Sequence, residues 1–343
     1  MLNEKEIRKY LLGATEIPEK VMNEVFEKRC LQIWVPQIYG GLGLGFSHGL
    51  QELFNWAKID GSLGWMLTLC SGANYFSRNM KPQIAAELFA NPKTCFGGSG
   101  MVGGTAEILA DGNFLINGLW HFATGAPHLS HFTLNAKILE NGQPKLDEQG
   151  KEMIRSFVIP SCDAEIISNW KAMGMKATGT YSFKIENKIV NENFSFVYDS
   201  FYTDDVLDRI PFRVFADLTL LVNYLGMAAH FVDEAKILRP NIDFSSFETS
   251  LSHHFNKILD DAKEVEDLLS LNQKISVEKQ SEIHVYGVSL VQKLSHQLLD
   301  IYIQMGVRAT DTQSEMYQIF SDYFTAAMHS NFRPESDALD FSF

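Results

Sequence analysis

The stretch GLWHFATGA, residues 118–126, gathers residue types that can hold a flat aromatic ligand. Trp120, Phe122 and Thr124 occupy alternate positions, so an extended chain turns all three to one face and offers a planar molecule two rings and a hydroxyl. Gly125 then lets the backbone turn away without an intruding side chain. Alternating aromatics are also the ordinary content of a β-core, so the spacing alone leaves both readings open. Histidines add acid–base capacity, because imidazole exchanges its proton near neutral pH. His121 lies between the two aromatics, His128 follows the turn, and His329 stands close to the C-terminus. Metal chemistry has a thinner basis. HFVDE, from His230 to Glu234, puts a carboxylate four residues after a histidine on one helix face, which could mimic half a metal site; core and surface packing explains it more cheaply, and no metal is expected. His253-His254 and His230 have no convincing metal-ligand partner at helical spacing.

Composition narrows the classes. The chain has 343 residues, 45% hydrophobic content and a formal net charge of −13, which suits a globular protein of a few subdomains. A nucleic-acid surface needs clustered Lys and Arg, and none occurs. Acidity of this kind reads as solubility. The apolar run Leu218 to His230 falls short of the ~20 residues that a bilayer span needs, and MLNEKEIRKYLLG has no apolar signal core, so the expectation is a cytoplasmic protein without a membrane partner. Cys30, Cys70, Cys95 and Cys162 are scattered and fit neither a metal pair nor a disulfide framework; they read as reduced, buried thiols.

Three textures must position the 118–126 stretch. Residues 1–92 read as helical: Leu50, Leu53, Phe54 and Ala57 share one helix face, Pro82 suits a helix start, and Asn91-Pro92 a stop. Between helices lies WVPQIYGGLGLG, with four glycines in six residues. Residues 93–202 switch to period two, as at Phe114, Ile116, Trp120 and Phe122 and again at Phe132, Leu134, Ala136 and Ile138, and predict a compact antiparallel β-domain, a barrel or sandwich. Residues 203–343 return to helical stripes: Phe215, Leu218, Val222 and Leu225; Phe247 to Val265; Val288, Val291, Leu294, Leu298, Ile301 and Met305. These predict a four-helix bundle and an α+β fold overall.

That order, with four motifs, resembles the acyl-CoA dehydrogenase superfamily. The motifs are VPQIYGGLGL (35–44), FGGSGMVGGTAEI (96–108), INGLWHFATGAPH (116–128) and WKAMGMKATGTYSF (170–183). They occur in the family's order at about its spacing, and the resemblance covers most of the chain. DGSLGW (60–65), WHFATGAPH and FSDYFTAAMHSNF (320–332) look most like the branch of two-component flavin monooxygenases and desulfurisation oxygenases, which take reduced flavin from a separate reductase and react it with oxygen. The resemblance implies a flavin, FAD or FMN, with the aromatic at Phe122 covering the ring and the hydroxyls at Thr124 and Ser99 reaching it. It makes His329 the catalytic histidine, with His121 as a second catalytic candidate and His128 as a secondary one. It implies a small-molecule substrate and a homodimer or homotetramer, for which the Val288–Met305 stripe is a candidate contact.

Two other readings stay open. A dehydrogenase acting on an acyl thioester needs a carboxylate base within reach of the substrate's α-proton. At the position that supplies it in one family type stands Ser321, and Asp322 is turned by ~100° on a helix. Asp217, Asp233 and Glu234 remain as alternatives. The bundle arginine that helps hold flavin phosphates in the family is also replaced by Ser321, with Arg308 as a stand-in. A non-catalytic relative with little or no bound flavin is the third reading.

Overall fold

The computed structural model describes residues 2–333. Five α-helices come first: α1 (Glu4–Leu11), α2 (Glu19–Glu27), α3 (Phe46–Ile59), α4 (Gly61–Asn74) and α5 (Pro82–Phe89). Pro82 stands in the first turn of α5, where its missing N–H costs nothing, and the chain leaves the helix before Asn91-Pro92. On α3, Leu50, Leu53 and Ala57 are buried, while the half-buried Phe54 ring meets Phe255 with centroids 4.1 Å apart. Arg78 is 1% exposed; it donates to Asp208 at 2.9 Å and to the Trp34 carbonyl at 3.0 Å. This buried pair pins the helical segment to the chain that enters the C-terminal helices, and removing either partner would strand a charge.

The strands are β1 (Phe96–Ile108), β2 (Phe114–Ala123), β3 (His131–Glu140), β4 (Gln143–Pro144), β5 (Ile154–Pro160), β6 (Glu165–Ile167), β7 (Tyr181–Val190) and β8 (Ser195–Phe196). They form one open sheet in the order β6-β7-β2-β1-β3-β5-β8, with β4 paired to β3. The sheet is mixed, which corrects the expectation of a purely antiparallel barrel or sandwich. β1 and β3 run parallel, from Phe96 opposite His131 to Glu107 opposite Leu139. The cause is the path of residues 124–130: they carry the chain from the end of β2 past the start of β1 to its far edge. Since β2 is antiparallel to β1, the next strand must run parallel to it.

Four α-helices complete the described chain: α6 (Phe212–Leu238), α7 (Ser245–Ser270), α8 (Val277–Met305) and α9 (Glu315–Ala326). Ser276 and Ser314 cap α8 and α9 by accepting from Lys279 N and Tyr317 N. α6 is apolar around its circumference because it is the core helix, and 89% of its most apolar 18-residue window is buried in the protein. On α8, Val291, Leu294, Leu298 and Met305 are buried within the chain, while Val288 and Ile301 of the same stripe are half-buried. Cys30, Cys70 and Cys95 are buried as expected, whereas Cys162 is exposed.

Candidate active site

The register of β2 decides which side chains can meet a ligand. Trp120 pairs with Phe183 of β7, and Ala123 with Tyr181, so β2 spends one residue more than its partner between these pairs. The extra residue is a β-bulge, with Phe122 in the left-handed region at φ 64°. Side-chain alternation breaks there. Trp120 and Ala123 both point inward and are fully buried, while Phe122 points outward and is 62% exposed. Trp120 and Phe122 therefore do not share a face.

Trp120 belongs to the β-core. Its ring stacks on Phe183 at 5.4 Å, and its indole N–H donates to the Asn135 carbonyl at 2.9 Å. A Cβ added at Gly103, Gly104 or Gly118 would come within 2.6–2.7 Å of that indole, so three glycines of the two motifs make the slot it fills. Trp120 does not line the cavity described next, which corrects its assignment as a cofactor contact.

Phe122, His121, Thr124 and Ser99 do line one cavity of about 1150 Å³. Its floor is the start of β1 and the bulged end of β2. Its walls come from α4, the first half of α6, the 170–175 loop, and residues 324–333 at and beyond the end of α9. The Phe122 ring stands edge to face with Trp170 at 6.5 Å, and the Trp170 N–H donates to the Met175 carbonyl at 2.8 Å, which fixes the loop that carries it. His121 shares a 2.9 Å hydrogen bond between Nδ1 and Ser182 Oγ, and Asn169 also donates to that hydroxyl. Thr124 lies 3.1 Å from the Thr180 hydroxyl, which is 2.7 Å from that of Thr178. Gly125 follows at φ 78°, as the turn requires.

His329 reaches the same cavity from a short helical turn, Ser330–Phe332. Its ring meets the Trp65 face edge-on at 5.5 Å. Burial pushes its pKa below the usual 6.5, and the nearby Arg333 adds to the shift, so the ring is neutral at physiological pH. Two neighbours latch this turn in place. Asn331 donates to Asp217 on α6 at 2.7 Å, and Phe332, buried, stacks on His284 of α8 and fills the notch at Gly287, where a Cβ would sit 2.5 Å from its ring. Arg333 itself lines the cavity; nothing in its sequence context singled it out. The apolar wall includes Phe76, Tyr198, Phe212 and Phe215.

Among the described residues no aspartate or glutamate lines this cavity. The candidate bases all lie elsewhere. Asp217 is buried against His284 and Asn331. Asp233 pairs with Lys58 at the surface, and Glu234 stands near Arg8. Asp322 is buried against Ser62 and the Met175 N–H, with its pKa pushed up to about 8 by burial and then by Asp60. His128 is likewise off the lining, and Arg308 is exposed away from it. The residues present suit a flavin-sized ring in three respects. A ring-bearing bulge projects into the space, the Gly97–Gly100 backbone is open on one side, and Arg333 is the one Lys or Arg among the described lining residues. The volume exceeds the ~300–1,000 Å³ usual for one small ligand, leaving room for a second molecule.

No family model matches the chain. Over 202 residues it is 28% identical to indole-3-acetate monooxygenase of Pseudomonas putida, an alignment that takes in 58% of this chain; the chain spans about half the length of the curated relatives it matches first. Among solved structures, 3-HSA hydroxylase from Rhodococcus sp. RHA1 superposes with a TM-score of 0.87 at 16% identity, over 97% of this chain and 91% of that one. TdsC from Paenibacillus sp. A11-2, in complex with FMN and indole, superposes with a TM-score of 0.78 at 18% identity, over 96% and 92%. This chain has the acyl-CoA dehydrogenase-like fold, and the relatives it is similar to include HsaA, the oxygenase subunit of a flavin-dependent monooxygenase.

Proposed function

We propose that this protein is the oxygenase component of a flavin-dependent monooxygenase that receives reduced FMN or FAD from a separate reductase and hydroxylates a small aromatic substrate. The observation that carries this reading is the make-up of the 1150 Å³ cavity: aromatic walls, His121, His329 and Arg333, and no carboxylate among the described lining residues. A dehydrogenase would need a carboxylate there to remove an α-proton. The known complex of a structural neighbour with FMN and indole supports a cavity that holds a flavin and an aromatic ring together.

When bound, the reduced flavin supplies the two electrons that activate oxygen. The chain's own residues do the rest. The exposed Phe122 ring covers one face of the flat ligand, and the Thr124 and Ser99 hydroxyls offer hydrogen bonds to its edge. Arg333 takes a negative group, phosphate or substrate carboxylate. His329, neutral, donates a hydrogen bond where charge develops or accepts a phenolic proton. Phe76, Phe212 and Phe215 keep water out, which limits wasteful loss of oxygen as peroxide. Two or four copies assemble, with the exposed Val285, Leu299 and Ile303 of α8 as contact candidates.

The test is an anaerobic titration with reduced FMN and reduced FAD, followed by air with and without small aromatic compounds. Saturable binding of a reduced flavin, and hydroxylated product once an aromatic is added, is the expected result. No binding of either reduced flavin would falsify the reading, and so would reduction of bound FAD by an acyl thioester.

A further inference from the structure

Away from the cavity, α6 and α9 bring a second set of chemically able groups together. His230 and Glu234 stand one turn apart on the same face of α6, and Glu315 is the first residue of α9, just past its Ser314 cap. One ligand atom from each of the three lies within 4.8 Å of the others. His230 is 3% exposed, yet neither ring nitrogen has a hydrogen-bond partner. Its Nε2 points at a Glu315 oxygen 3.9 Å away, too far for a hydrogen bond. A buried imidazole left unpartnered in this way needs an explanation.

Charge points the same way. Two carboxylates face each other here, and Asp60 acts on His230 from the start of α4, while Arg8 of α1 is, among the described residues, the one arginine or lysine that pairs with Glu234, at 3.7 Å. Burial keeps His230 neutral, the form in which imidazole binds metal. Zinc-class ions sit about 2.0–2.2 Å from imidazole nitrogen and carboxylate oxygen, so ligand atoms ~3–4 Å apart can share one.

We propose that His230, Glu234 and Glu315 form a binding site for one divalent cation of the zinc class, separate from the cavity. One imidazole with two carboxylates suits zinc, cobalt or manganese better than magnesium or calcium, which prefer all-oxygen sets. Glu315, 33% exposed, marks the side from which the ion enters and where water completes its coordination. The ion ties α9, whose far end leads to the His329 turn, to the core helix α6.

The test uses the full chain, stripped with a chelator and titrated with cobalt(II) and with zinc(II) against a chromophoric competitor, with magnesium as control. One equivalent should bind per chain, zinc should raise the thermal midpoint, and magnesium should not compete. Removing an outer-shell partner costs ten- to a hundredfold in metal affinity, so losing a ligand in Glu315→Gln or His230→Gln should cost more than about a hundredfold. Glu315→Gln, at the surface end, decides the matter if His230→Gln does not fold. Absence of saturable binding, or equal affinity in wild type and Glu315→Gln, overturns the site. So does a thermal midpoint that zinc leaves unmoved.

Discussion

Trp120 and Phe122 stand two residues apart on one strand. One fills a slot cut by three glycines inside the sheet, and the other projects 62% exposed into a cavity. Their residue types and spacing are those of neighbours on a single face. One extra residue in β2 separates them. The lesson is that a bulge can convert a core pattern into a binding surface without changing composition, since it re-aims the side chains that follow.

Substitutions separate the two rings, beginning with the core side. Trp120→Ala should cost about 3–5 kcal/mol of unfolding free energy in denaturant titrations, as large aromatic deletions do. A loss under 1 kcal/mol would return Trp120 to the ligand side. The glycines beneath make a second contrast. Gly98→Ala drives a Cβ to 1.7 Å from the Thr133 carbonyl oxygen and should cost about 1–3 kcal/mol or more. Gly100→Ala meets nothing within 4 Å, so its stability should stay within about 0.5 kcal/mol of wild type. If the two glycines proved equal, the close approach of β1 to β3 at Gly98 would be misplaced.

Phe122→Ala should leave stability within about 0.5 kcal/mol while weakening reduced-flavin binding roughly two- to tenfold, the worth of one aromatic contact. The opposite pattern, lost stability with intact binding, would erase the distinction between the two rings. The smallest effect concerns pH. Because His329 is held below its ordinary pKa in the folded protein, its contribution to stability is present above about 6.5 and is lost as pH falls from there through the folded value. Melting midpoints between pH 7.5 and 5.5 should therefore decline less steeply in His329→Gln than in wild type. Parallel curves would mean that the ring titrates freely.

The same bulge marks the limit of what the sequence discloses. Helical stripes at Leu50–Ala57 and Phe215–Leu225, the start of α5 at Pro82 and the turn at Gly125 follow from local rules, because each is set by residues a few positions apart. Phe122 in the left-handed region breaks no visible rule, since no glycine or asparagine flags it. The parallel pairing of β1 with β3 depends on which side of β1 the 124–130 segment passes, a choice made by packing rather than by any residue within the segment. Of the proposed contacts, Ser99, His121, Phe122, Thr124 and His329 converge on one cavity, but no motif marks Arg333, and the exclusion of every described carboxylate is visible only when distant segments are assembled. His230 and Glu234 are legible as half a metal site; Glu315, from another helix, carries no local signal.

The latch at the end of the chain has a consequence for divergence among related sequences. A flat ring can occupy position 332 only while position 287 on α8 is glycine, and the turn so anchored carries His329. These two positions are far apart along the chain and serve different helices, yet a side chain gained at one demands a smaller group at the other. Positions 287 and 332 should therefore drift as a pair, and a relative that breaks the pairing should differ in how it presents the residue at position 329.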